Sequence, residues 1–204
     1  MRRLVGSLVC VLLLMGGATV SSAQTPGPCR WVTDSTTVRD AVLFGVAAPE
    51  STNVFAVGAR ATAQDRAVTL VRHWDGSAWE TQPSPNVNRQ SNFLNDVAVA
   101  PDGTAWAVGE RSRLKSKTVV QRYDGTTWRM HQSLNPSEDL NALHGVDVAP
   151  SGDVYAAGAR WNAKRRYRTM VHRYDGKAWT MAAKKFPGIF WDLDVVAEDD
   201  VWAV

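Results

Sequence analysis

The chain has 204 residues, 45% of them hydrophobic and 21% charged, with a formal net charge of +3. That length and apolar share suffice to bury a globular core, which excludes a disordered or low-complexity chain. Two of the cations, Arg2 and Arg3, belong to an N-terminal leader; without it 21 Lys plus Arg face 20 Asp plus Glu, and a balance of +1 singles out no charged partner.

Residues 1–23 read as a secretory signal peptide. Arg2 and Arg3 precede the apolar run LVCVLLLMGGA, and the small-residue stretch SSAQ places cleavage after Ala23. The run from Leu8 to Ala18 is short for a spanning helix and no second apolar segment follows it, so no stable membrane span is expected after cleavage. The expected location is secreted, periplasmic or cell-surface. Neither Cys10, inside the apolar run, nor Cys29, after TPGP, has a lipobox-like context. The exported chain keeps Cys29 alone in a compartment where disulfides persist, which points to a missing partner for that thiol.

Segment 24–42 reads as an orphan outer strand, because Trp31 in CRWVTDS matches Trp79 in AWETQPS and Trp128 in TWRMHQS. From residue 43 onward one phrase recurs: LVRHWDGSAW, VVQRYDGTTW and MVHRYDGKAW end at Trp79, Trp128 and Trp179. The copies divide the chain into units 43–93, 94–142 and 143–190, with a partial unit 191–204. Each reads as four short strands, which in the second copy are LNDVAVA, TAWAVGE, TVVQRY and TTWRMHQ. Pro49, Pro101 and Pro150 open the first turn, and Gly58, Gly109 and Gly158 close the second strand. The pairs Asp75-Gly76, Asp124-Gly125 and Asp175-Gly176 form a tight hairpin turn, with Gly supplying the positive φ of a two-residue loop. The three tryptophans are then expected to pack between neighbouring units.

A spacing of 49 to 52 residues with four strands per unit predicts an all-β fold, a β-propeller of four-stranded antiparallel blades. The pairs AWAVGE with RYDGTTW and VFAVGA with RHWDGSAW resemble the VWAVG…YDGxxW repeat of exported bacterial β-propellers of mostly unassigned function, loosely akin to kelch and galactose-oxidase propellers. The resemblance covers residues 43–204 and implies fold rather than function. The kelch Gly-Gly doublet is missing, only Trp74-Asp75 matches the WD40 pair, and the sialidase Asp-box spacing is not met, so none of those functions is carried over. About three and a half blades are present where propellers have about 4 to 8, so the sequence reads as part of a longer protein, with a ring of several chains or an open arc as alternatives. A chain that did end at Val204 would be an oligomer or an aggregate, because its sheet edges would be open.

In a propeller the loops between second and third strands lie on the same face as the connections between blades. ARATAQDRA carries +1, ERSRLKSK +3 and ARWNAKRRYR +5, so these loops hold +9 in an exported chain of +1. Candidate ligand-binding residues are Arg111, Arg113, Lys115 and Lys117 in the second loop, and Arg160, Trp161, Lys164, Arg165, Arg166, Tyr167 and Arg168 in the third. Guanidinium and ammonium groups beside aromatic rings suit a sugar acid, a phosphate or a nucleic acid backbone, so an anionic polysaccharide or a protein is the expected partner, while solvated surface charge is the plain alternative. Catalysis would need paired carboxylates, for which Asp96, Asp147, Asp192 and Asp194 are the candidates, although acids at such strand starts often hold backbone amides. His73, His131, His144 and His172 show no metal-ligand spacing, so neither metal nor cofactor is expected. The sequence thus predicts a non-enzymatic binding or scaffold module, with an exported hydrolase or lyase acting on carbohydrate in the central channel as the rival.

Overall fold

Short strands with apolar residues on both faces dictate sheets that must be covered on both sides. In the computed structural model, which describes residues 38–183 and 186–204, every regular element is a β-strand. The first sheet holds β1 (Ala41–Glu50), β2 (Asn53–Ala61), β3 (Ala67–Trp74) and β4 (Trp79–Gln82). The second holds β5 (Ser91–Val99), β6 (Ala105–Ser112), β7 (Ser116–Tyr123) and β8 (Trp128–His131). The third holds β9 (Asn141–Val148), β10 (Val154–Trp161), β11 (Tyr167–Tyr174) and β12 (Trp179–Met181), and a hairpin of β13 (Leu193–Ala197) and β14 (Asp200–Ala203) follows. Pairing is antiparallel throughout and follows chain order.

The first strands of successive sheets are neighbours, β1 with β5, β5 with β9 and β9 with β13. That places β4, β8 and β12 at the outer edge of each sheet and makes the fold a partial β-propeller of four-stranded antiparallel blades. The inner strands β1, β5 and β9 start two or three residues before the unit boundaries at 43, 94 and 143, because Ala41, Ser91 and Asn141 still pair with Arg60, Ser112 and Arg160. Cys29 and the stretches expected to form a signal peptide and an orphan outer strand at Trp31 lie outside the described residues. Among the described residues no helix is long and apolar enough to cross a membrane.

Strand β6 shows how the core is built. Ala105 and Ala107 pack with Phe55, Val57 and Leu94, while Trp106 and Val108 face the other way and pack with Val146, Met170 and Trp179. A large residue on one face meets small residues on the next blade, so layers interdigitate. The tryptophans of the repeated phrase bolt blades together. Trp128 Nε1 donates to Gln82 Oε1 at 2.7 Å and its ring meets Phe55 edge-on at 5.7 Å. Trp179 Nε1 donates to His131 Nδ1 at 3.1 Å and meets Trp106 at 5.9 Å. Trp79, on the first described blade, packs on Trp74 and stays half-buried.

Two details differ from the sequence reading. Gly58, Gly109 and Gly158 do not close the second strand but sit inside it, opposite a bulge at Phe44, Asn95 and His144 of the first strand. A Cβ there would stand 1.9, 2.1 and 2.0 Å from the carbonyl oxygens of Val42, Phe93 and Ala142, so the bulged inner strand tolerates only hydrogen at these positions. The Asp-Gly turn is also longer than a two-residue loop. Residues 75–78 separate β3 from β4, and Asp75 Oδ1 accepts the amides of Ser77 and Ala78 at 2.8 and 2.9 Å. Those bonds hold the Asp75 carboxyl down to about 2.

The two kinds of glycine should therefore fail differently. Gly109→Ala drives a methyl group into the Phe93 carbonyl and is expected to cost about 3 kcal/mol or more. Gly125→Ala, at φ +92 with nothing within 4 Å of the new carbon, is expected to cost only about 1 kcal/mol. Urea melts of both variants check this, and equal losses would contradict the close-approach account.

Candidate functional site

Antiparallel chain order brings the loops at 62–66, 113–115 and 162–166 to the face where one blade's outer strand connects to the next blade's inner strand. The loops are fastened there. Ala67 N donates to Ser91 Oγ at 3.2 Å, Ser116 N to Asp139 O at 2.8 Å and Trp161 N to Leu140 O at 3.1 Å. Asparagines repeat the fastening: Asn86 Oδ1 accepts Thr69 N at 2.8 Å and Asn135 Oδ1 accepts Thr118 N at 2.9 Å. These asparagines escaped the sequence reading, although their regular spacing was a signal for them.

Charge on this face is partitioned unevenly. Between the second and third blades, Lys115 Nζ and Arg165 Nε lie 3.4 and 3.9 Å from the Asp139 carboxylate. Lys117 Nζ donates to the carbonyls of Ser137 and Glu138 at 2.9 and 3.1 Å, and Arg111 donates to Gln90 Oε1 at 2.9 Å. In the third loop the Arg165 guanidinium lies 5.9 Å over the Trp161 ring, which meets Tyr167 at 6.1 Å. Arg168 donates to Tyr167 O, while Lys164 and Arg166 are exposed. Arg160 does not present its charge with them: it is a β10 residue between Asn141 and Arg168, and it is buried there.

Between the first and second blades lies a cavity of about 790 Å³ lined by Gln64, Arg66, Arg89, Ser91, Ser112 and Arg113. Only Arg113 of its three arginines was singled out from sequence. Arg66 and Arg89 come from separate segments, and composition gave no sign that they converge.

The inner carboxylates are structural acceptors. Asp96 Oδ2 accepts Val146 N and Asp147 Oδ2 accepts Val195 N, each at 2.8 Å, so each acid ties its own inner strand to the next blade. Asn95 Nδ2 adds a bond to Leu143 O at 2.7 Å. Asp192 accepts the amide of Leu193, and Asp194 is exposed on the hairpin. Burial, reinforced by the charges of Asp192 and Asp147 and opposed by the amide bonds, raises the Asp96 carboxyl to about 6. His172 is fully buried with neither ring nitrogen partnered among the described residues, and burial lowers it to about 4. His73 stacks on Phe55, and His144 packs at a tilt against Trp191. Among the described residues no group of three or more His, Cys, Asp or Glu side chains could hold a metal.

These two shifts act on stability with opposite signs. Folded Asp96 binds its proton more tightly than the unfolded chain does, so its ionisation penalises folding above about 6 and the penalty is relieved as pH falls towards 4. Folded His172 resists protonation, so its contribution is lost as pH falls from about 6.5 to about 4. Asp96→Asn keeps an oxygen acceptor for Val146 N, and it is expected to be more stable than wild type by about 2 kcal/mol at pH ~7.5 with no gain at pH ~4. His172→Gln is expected to reduce the acid loss. Urea melts across this range test both; an Asn variant weaker than wild type throughout would show that the carboxylate charge itself holds the blades.

No family model matches the chain, and no match was found among curated proteins. Among solved structures the chain is similar to a fucose lectin from Kordia zhangzhouensis in complex with methyl-fucoside, at 12% identity and a TM-score of 0.44, over 70% of this chain and 99% of that one.

Proposed function

We propose that the chain is a secreted or cell-surface binding module that holds an anionic ligand on its loop face without catalysing a reaction. The observation that carries the reading is the segregation of charge: loop segments totalling +9 in sequence, +8 without the buried Arg160, lie on one face of a chain whose balance without residues 1–23 is +1. Such a face attracts polyanions at low salt through a local field that net charge conceals. The use of the inner carboxylates supports a binding role over a catalytic one, because Asp96 and Asp147 are occupied by backbone amides of the neighbouring blade. Export rests on the leader at 1–23.

One observation favours a second reading, an exported carbohydrate-active hydrolase or lyase with its site in the central channel. A carboxyl raised to about 6 on an inner strand, as Asp96 is, has the proton affinity of a general acid.

The test is binding of heparin and of polygalacturonate across a salt series. Affinity is expected to fall at least about tenfold between ~50 and ~300 mM salt. Replacing Arg165, Arg166 and Arg168 together with Gln is expected to weaken polymer binding with an unchanged melt, and Asp147→Asn to leave it intact. If Asp96→Asn abolishes cleavage of a polysaccharide that the loop variant still cleaves, the enzyme reading replaces this one. If no anionic polymer binds at low salt, the loop charges are ordinary solvated surface.

A further inference from the structure

We infer that the cleft between the first and second blades is a discrete site for a compact, multiply charged oxyanion: a sulfated or phosphorylated saccharide of about one or two sugar units, held by Arg66, Arg89 and Arg113. The inference rests on the anion-binding reading above and localises it away from the aromatic-rich third loop.

Three segments supply the cations: the loop 62–66, the connection 83–90 and the loop 113–115. No carboxylate is among the lining residues, and among the described residues none of the three arginine side chains has an ion pair. Three like charges around one cavity repel unless a counter-charge joins them. The adjoining cleft shows the same scaffold in a self-neutralised form. Its connection repeats the first: Asn135 does for Thr118 what Asn86 does for Thr69, and Asn141 bonds the chain at Ser137 as Asn92 does at Val87. Counting between those asparagines sets Arg89 at the place of Glu138 and Gln90 at the place of Asp139. Asp139 is the residue that pairs with Lys115 and Arg165. The two connections share their asparagine anchors but not the backbone between them, and where the adjoining one carries Glu138 and Asp139 this one carries Arg89 and Gln90, which leaves the three arginines of the first cleft to an external anion.

Arg89 adds a second sign. Its φ is +61, in the left-handed region that a long side chain adopts only against steric cost, and its side chain is exposed at the cavity.

The lining also selects the ligand. Guanidinium forks match sulfate and phosphate oxygens with paired N–H donors, and Ser91, Ser112 and Gln64 can bond hydroxyl groups. No aromatic ring lines the cavity, so nothing there would stack on a nucleobase, and its volume of about 790 Å³ is that of a small-molecule site.

The experiment is calorimetric titration of the full chain with a trisulfated heparin disaccharide, with glucose 1,6-bisphosphate and with the uncharged parent disaccharide. One site is expected for at least one charged probe and none for the uncharged one; which charged probe binds assigns sulfate or phosphate as the group recognised. Arg89→Glu with Gln90→Asp, which copies the adjoining connection, is expected to weaken binding at least about thirtyfold with an unchanged melt, and Arg113→Gln about tenfold. Lys177→Glu, in a turn on the opposite face, is expected to change affinity by less than about threefold. Equal binding by wild type, the double variant and Arg113→Gln would overturn the site. Polymer binding without disaccharide binding would overturn it too, and leave the anion-binding module standing; loss of both would remove the two together.

Discussion

The stacking of the described blades follows from one constraint: a four-stranded blade with two apolar faces is stable only when a neighbour covers each. The constraint explains why β6 and β10 read as unbroken apolar runs, with Ala105 to Val108 all buried, where a half-exposed strand would alternate. It also sets how closely the inner strands approach. The bulge opposite Gly58, Gly109 and Gly158 tilts each inner strand onto its partner, and the missing side chain is what lets the carbonyl come that near. Where no described blade covers a face the pattern reverses: Leu43 and Val46 are 51% and 67% exposed, although their counterparts Leu94 and Val97 are buried.

Because blade faces are largely committed to packing, most polar groups are left to the rims, and there they divide by task. At the inner rim Asp96, Asp147 and Asn95 reach to the next blade's backbone, which compensates for the lack of ladder hydrogen bonds between blades. At the outer rim Trp128 and Trp179 each donate one indole bond to a side chain of the preceding blade, Gln82 and His131. The loop face carries most of the cations that were counted in sequence.

The repeat period, the places of the turns and the inter-blade packing of Trp128 and Trp179 were legible in sequence because each depends on local spacing alone, whereas the length of the turn was not. The role of Gly109 was not, since a glycine near a strand end and a glycine under a bulged neighbour leave the same trace in a repeat. Counting loop charge found the right face but weighted it wrongly. A sum cannot reveal that Arg160 turns inward, that Asp139 neutralises Lys115 and Arg165, or that Arg89, in a connection outside the counted loops, joins Arg66 and Arg113. Those facts are long-range, and only the arrangement of blades brings the residues together.

A repeat also carries its own controls, because positions that share a place in the fold share its structural demands. Arg72, Gln121 and His172 occupy one such place on the third strand, and all are buried polar residues. Arg72 donates to Trp79 O in its own blade, Gln121 donates to Pro85 O in the connection before it, and His172 has no partner among the described residues. The place tolerates three different side chains because its demand is for volume in the core, with the hydrogen bond varying according to what carbonyl lies within reach. The exchange of Glu138 and Asp139 for Arg89 and Gln90 is of another kind. Arg89 and Glu138 are exposed, whereas Gln90 accepts from Arg111 and Asp139 pairs with Lys115 and Arg165, so the second position of each pair serves its own cleft and the change of sign at the first is not demanded by packing.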